Sequence, residues 1–129
     1  IKVWLCEDVV STPMVSLAII KKKAAAGVMI TASHNPPAWN GFKIKGDFGG
    51  SALVSDIKKI ERILANIIAS GRVTKPKTID ELKKLKMIVP FDAQSIYLAE
   101  IRKKIDLDLI RKSKMKIAYD VMYGASMMG

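Results

Sequence analysis

A short apolar run, Gly27-Val28-Met29-Ile30, breaks abruptly into Thr31-Ala32-Ser33-His34-Asn35-Pro36, with a second proline at Pro37. The run is too short for a helix, and the Asn-Pro pair turns the chain away from helical geometry. A buried strand ending in a polar turn is predicted. A serine hydroxyl, the single histidine of the chain and an asparagine amide are displayed at that strand end. Asn40-Gly41-Phe42-Lys43 follows, a turn signal that carries a lysine. Hydroxyl, imidazole, amide and ammonium gathered at one strand end suit the handling of a phosphate.

Ile1–Cys6 has the character of a strand. Thr12-Pro13 opens a helix, with a side-chain oxygen at the N-cap and proline at the first position, where its missing N–H costs nothing. That helix is predicted to run from Pro13 to about Ala26 and to stop at Gly27 as its C′ residue. Gly27–Ala32 is then the central strand, Phe42–Lys45 a short strand, and Gly46 to Gly50 a flexible glycine-rich loop. Ile57, Ile60, Leu64, Ile67 and Ile68 form an apolar stripe at helical spacing, with Lys58, Lys59, Glu61 and Arg62 off it and Gly71 ending the helix. Thr78-Ile79-Asp80-Glu81 matches a capping box. Met87–Val89 reads as a strand stopped by Pro90. Asp92 caps a helix whose face includes Tyr97, Leu98, Ile101 and Ile105, Asp106 caps one or two turns before Lys112, and Met115–Tyr119 reads as a new strand. Strands and helices in alternation predict an α/β fold: a layered, mixed β-sheet with helices packed on it. A boundary is placed near Pro90–Asp92.

Composition narrows the function classes. The chain has 129 residues, enough for one useful core, and 50% hydrophobic residues with a mean hydropathy of +0.17 mark it as globular. One cysteine, Cys6, cannot form an internal disulfide and reads as an inert buried thiol; with one histidine, a Cys/His zinc site is excluded. No run of about 18 apolar residues and no signal peptide is visible, which predicts a cytoplasmic location and no membrane partner. The chain begins at Ile1 and is expected to be a segment of something longer. Twenty-two Lys and Arg against twelve Asp and Glu give a net charge of +10. Most of these lysines, such as Lys21-Lys22-Lys23, Lys58-Lys59 and Lys103-Lys104, fall on polar helix sides. Aromatics are only 6% and form no stripe among the basic residues, so no specific nucleic-acid partner is expected.

The hexapeptide Thr31–Pro36 closely resembles the active-site serine loop of the alpha-D-phosphohexomutases, which include phosphoglucomutases and phosphomannomutases. Ser11-Thr12-Pro13 upstream, Trp39-Asn40-Gly41-Phe42-Lys43 and Gly49-Gly50 downstream fall in the order that family uses. Lys116-Ile117-Ala118-Tyr119-Asp120 followed by Gly124 is similar to the first strand and turn of its second domain. The resemblance is dense between about Ser11 and Asn66. It implies that residues 1–91 are the later part of domain I, with the serine loop, and that 92–129 begin domain II, neither being complete.

The resemblance also implies roles. Ser33 would carry the phosphoryl group passed to and from a hexose phosphate through a hexose bisphosphate, and as phosphoserine it would offer oxygens to Mg²⁺. The metal's other ligands, the sugar-recognition loop and a further phosphate-binding loop would lie outside this chain, in the remaining domains of the same parent protein. Lys43 would lie beside the phosphoserine, neutralising charge and moving a proton. For His34 two readings stand: it orients Ser33 or serves its phosphate, or it bonds the loop backbone as a structural histidine. Asn35 holds the loop's shape. Trp39 reads as a packing residue, Gly49-Gly50 as a loop hinge, and Asp120 as a turn former.

The resulting expectation is an intramolecular phosphotransferase that interconverts hexose 1-phosphate and hexose 6-phosphate, with little or no turnover from these residues alone. Two rivals remain. One is a basic nucleic-acid-binding module in which the serine loop is a plain turn. The other is a non-catalytic interaction protein that retains the loop.

Overall fold

A computed structural model describes residues 1–36, 38–72 and 75–125. The second proline of the loop, Pro37, and the terminal Met127-Met128-Gly129 lie outside the described residues. In chain order the elements are β1 (Val3–Leu5), α1 (Thr12–Lys22), β2 (Ala26–Thr31), β3 (Gly41–Gly46), α2 (Val54–Ala69), α3 (Ile79–Lys84), β4 (Ile88–Pro90), α4 (Ala93–Lys104) and α5 (Leu107–Lys112). The α/β character is as expected. The strands form two separate pairs, β1 parallel to β4 and β2 antiparallel to β3. Among the described residues β2 therefore has one ladder neighbour and is not a central strand.

Helix α1 starts one residue earlier than predicted. Ser11 is the N-cap, and its side chain makes no capping bond. The helix also stops four residues short of Ala26. Lys23 enters the left-handed region (φ 50°) and its N–H donates to the Ile19 and Ile20 carbonyls, so the helix closes without glycine. Gly27 serves packing instead. A Cβ there would run into the Ile19 side chain and contact Val15 at 3.7 Å, so the glycine sets how closely α1 lies on β2.

The core sits where α1 meets β2 on one side and α4 on the other. Ala18 and Ile19 of α1 and Ala93 of α4 are its buried apolar residues. Lys21 pairs with Glu100 at 2.9 Å across the α1–α4 contact, and that lysine holds the Glu100 carboxyl below the usual carboxylate range. Lys83 of α3 pairs with Glu7 beyond β1. Cys6, expected to be buried, is only partly covered, and that partial burial pushes its thiol pKa up from the ordinary value.

The caps predicted after residue 77 are formed. Glu81 N–H donates to Thr78 Oγ1 at 3.2 Å and Thr78 N–H donates to Glu81 Oε2 at 2.7 Å, a complete capping box. Asp92 and Asp106 accept from Ser95 N–H at 3.0 Å and Leu109 N–H at 2.9 Å. Thr78→Ala is expected to cost about 1 kcal/mol locally, and amide exchange at Glu81 should quicken roughly fivefold. An unchanged exchange rate would show that the cap contributes nothing to α3.

One expectation fails in the later half. The expected strand Met115–Tyr119 is absent. A strand needs a ladder partner, the described residues provide none, and Met115, Ile117 and Tyr119 are exposed. Helix α2 ends as predicted, with Ser70 at the C-cap and Gly71 at φ 63°, but no residue on it is buried. Leu64 and Ile68 on its stripe keep 53% and 62% of their surface. No helix among the described residues is long and apolar enough to cross a membrane.

Candidate active site

The β2–β3 hairpin positions the polar loop. Its register pairs Gly27 with Lys45, Val28 with Ile44, Met29 with Lys43, Ile30 with Phe42 and Thr31 with Gly41. Directly opposed residues share a face, and alternate residues along a strand do too. Gly27, Met29, Thr31, Lys43 and Lys45 therefore lie on the face that α1 covers. Val28, Ile30 and Phe42 lie on the other face and are exposed. Gly41 is required where the loop rejoins the ladder, because a Cβ there would approach the Thr31 carbonyl oxygen to 2.8 Å.

The loop turns sharply as it leaves β2. Ser33 adopts φ 53°, a left-handed conformation that costs a residue with a Cβ on the order of 1–3 kcal/mol. Local bonds support it. Ser33 N–H donates to Thr31 Oγ1 at 3.0 Å, and Asn35 N–H donates to the Ala32 carbonyl at 3.0 Å. Asn35 thus ties the loop through its backbone. Trp39 N–H donates to the Pro36 carbonyl at 3.0 Å.

Ser33 Oγ lies 3.3 Å from His34 Nδ1. When the ring carries its proton on Nε2, the hydroxyl donates to Nδ1. The structure therefore brings Ser33 and His34 together. Lys43 stands on β3 opposite Met29, on the Thr31 side of the hairpin and two residues inside the closing Thr31–Gly41 pair. Ser33, His34 and Lys43 are all exposed to solvent.

Lys45, two residues further, is the opposite case. It is 93% covered, and its Nζ donates to the Gly49 carbonyl at 3.5 Å. That carbonyl belongs to the glycine turn expected to act as a flexible hinge. The turn is closed by Gly49 N–H to the Gly46 carbonyl at 2.9 Å and Gly46 N–H to the Gly50 carbonyl at 3.1 Å. Gly49 sits at φ 80°, and a Cβ there would lie 2.6 Å from the Ser16 carbonyl oxygen. It is a tight turn docked on α1.

Trp39, expected to pack, is 66% exposed because none of the described elements lies over the loop. Asp120 is a turn former as read, accepting from Met122 N–H at 2.9 Å. Among the described residues no three His, Cys, Asp or Glu side chains converge as a metal cluster. What this loop offers a divalent cation is serine oxygen, a hard donor of the kind Mg²⁺ prefers. The residue overlooked in the sequence is Thr31. Its signal was a Thr-x-Ser spacing at a strand end, where a threonine hydroxyl bonds the backbone two residues on.

Residues 1–70 match "Phosphoglucomutase/phosphomannomutase, alpha/beta/alpha domain I", and the chain belongs to that family. A phosphoglucomutase of Staphylococcus epidermidis is 29% identical over 126 residues, covering 98% of this chain and 23% of its own length. A probable phosphoglucosamine mutase of Methanothermobacter thermautotrophicus is 35% identical over 117 residues, covering 91% of this chain and 23% of that protein. A phosphopentomutase of Pongo abelii is 39% identical over 64 residues, half of this chain and 10% of that protein. The chain spans less than a quarter of the length of these relatives.

Proposed function

We propose that this chain supplies the phosphoryl-carrying serine of a hexose phosphate mutase. The observation that carries the reading is the placement of Ser33: exposed, held left-handed just beyond the end of β2, with Oγ 3.3 Å from His34 Nδ1. Phosphoryl transfer through a loose transition state depends on in-line positioning and charge neutralisation more than on a strong nucleophile. A serine anchored to a hairpin answers the first need, and Lys43 on the same hairpin answers the second.

In the proposed cycle a hydroxyl of the hexose phosphate attacks the phosphorus of phosphorylated Ser33. The P–Oγ bond breaks, and a hexose bisphosphate forms. After the bisphosphate reorients, Ser33 Oγ attacks its other phosphate and regains a phosphoryl group, releasing the isomeric hexose phosphate. His34 orients Ser33 Oγ, and Lys43 offsets phosphate charge and exchanges a proton with the sugar oxygen. Mg²⁺, held in part by the serine-borne oxygens, would supply further charge neutralisation. Its remaining ligands, and the groups that choose the sugar, would come from other parts of the parent protein. On this reading residues 1–91 are the later part of domain I and 92–129 open domain II, and these residues alone turn over little or no substrate.

Incubating the full-length protein with a hexose bisphosphate and mapping phosphate by peptide mass spectrometry tests the assignment. One phosphate on Ser33 is expected. Stoichiometric phosphate elsewhere, or none at all, overturns it.

A further inference from the structure

The geometry points to Thr31 as a positioning residue for phosphoryl transfer at Ser33, acting through the hydrogen bond that its side-chain oxygen accepts from the Ser33 backbone. The inference rests on the phosphoserine reading of Ser33 and adds to it the part that aims the serine.

Ser33 occupies a left-handed conformation (φ 53°) that a residue with a Cβ does not favour unaided. Its N–H is satisfied by Thr31 Oγ1 at 3.0 Å. The partner is itself well anchored. Thr31 is the last residue of β2 and pairs with Gly41, which lacks the Cβ that would press on the Thr31 carbonyl. It is half-buried, whereas Ser33 and His34 are exposed. As a β-branched residue its χ1 is restricted, so Oγ1 is presented from a stiff support. Thr31 thus joins the ordered ladder to the exposed serine through one side-chain atom.

The direction of Ser33 Oγ follows from the backbone conformation that this bond supports. That direction matters twice. It sets the 3.3 Å approach to His34 Nδ1, and it sets the line along which phosphorus must be attacked. Without the acceptor, the exposed Ser33 N–H turns to water at little cost, and the left-handed turn loses its internal support. The loop then samples other conformations while the hairpin beneath it persists. The defect expected is a serine that is present and accessible but badly aimed.

A structural role for Thr31 makes a different prediction. If the residue matters only as a β-former, its shape counts and its oxygen does not. Thr31→Val keeps the branched shape and removes the acceptor, and Thr31→Ser keeps the acceptor and removes the branch. In the full-length protein, Thr31→Val should slow phosphorylation of Ser33 by a hexose bisphosphate, and kcat, by about 10- to 100-fold with KM for the hexose phosphate unchanged. Thr31→Ser should recover most of the loss. The Ser33 amide of the unsubstituted protein should be protected from hydrogen exchange, a readout that needs no variant to fold.

Transfer at the unsubstituted rate in Thr31→Val, a Thr31→Ser variant as slow as Thr31→Val, or a Ser33 amide that exchanges like a free peptide overturns the positioning role alone. Absence of phosphate on Ser33 in the unsubstituted protein overturns the mutase reading and takes this inference with it.

Discussion

Ser33→Ala in the full-length protein is expected to abolish mutase turnover, with a loss on the order of 10⁴- to 10⁶-fold in kcat, the scale seen when the group that carries the covalent intermediate is removed. The fold should be indifferent. Ser33 is exposed, its backbone N–H rather than its hydroxyl bonds Thr31, and alanine has the same Cβ to place in the turn. Steady-state assay of glucose 1-phosphate conversion, alongside thermal unfolding, separates the two effects. A Ser33→Ala variant that still turns over at a comparable rate would remove the serine from the chemistry and leave the loop as a turn.

Lys43→Met should have the next largest effect. The substitution keeps a long unbranched side chain at a ladder position and removes the ammonium. Lys43 is exposed and makes none of the ion pairs found among the described residues, so stability should change little. Losing a positioned acid–base group typically costs about 10²–10⁴-fold in rate. The loss should fall mainly on kcat. Lys45 provides the internal control, since it stands on the same sheet face but is covered and directed to Gly49. If Lys43→Met leaves turnover intact, Lys43 is surface charge like the lysines of α1.

The features legible in the sequence were those written locally. Thr78 with Glu81, and the aspartates 92 and 106, announce helix starts because capping needs only a side chain and a backbone N–H three residues away. The strand-to-turn break at Thr31 and the Asn40-Gly41 return were legible for the same reason. What was missed needed knowledge of a distant neighbour. Gly27 resembles a helix stop until Ile19 is known to lie against it. The pairing of β1 with β4 joins residues more than eighty positions apart, and nothing local encodes it. Residues 115–119 have the composition of a strand, but a strand is realised only with a partner. Lys45 reads as one more solvated lysine until the ladder turns it beneath α1.

At the site, the sequence placed Ser33 beside His34 because they are adjacent, and it placed Lys43 on the returning strand. It did not reveal the left-handed turn at Ser33. That conformation has no glycine to announce it and depends on the acceptor at Thr31.

The uncovered stripe of α2 and the outer face of the hairpin have a colloidal consequence. Two opposing forces act between copies of this chain in solution. Its net charge of +10 pushes them apart, while Val28, Ile30, Phe42, Leu64 and Ile68 present oily patches that water would rather not wet. The repulsion reaches only about 8 Å at physiological ionic strength and shrinks to about 3 Å at 1 M salt, whereas the apolar attraction does not weaken with added salt. Preparations of these residues alone should therefore stay dispersed at low salt and cluster as salt is added, a phase behaviour set by the balance between charge and uncovered grease.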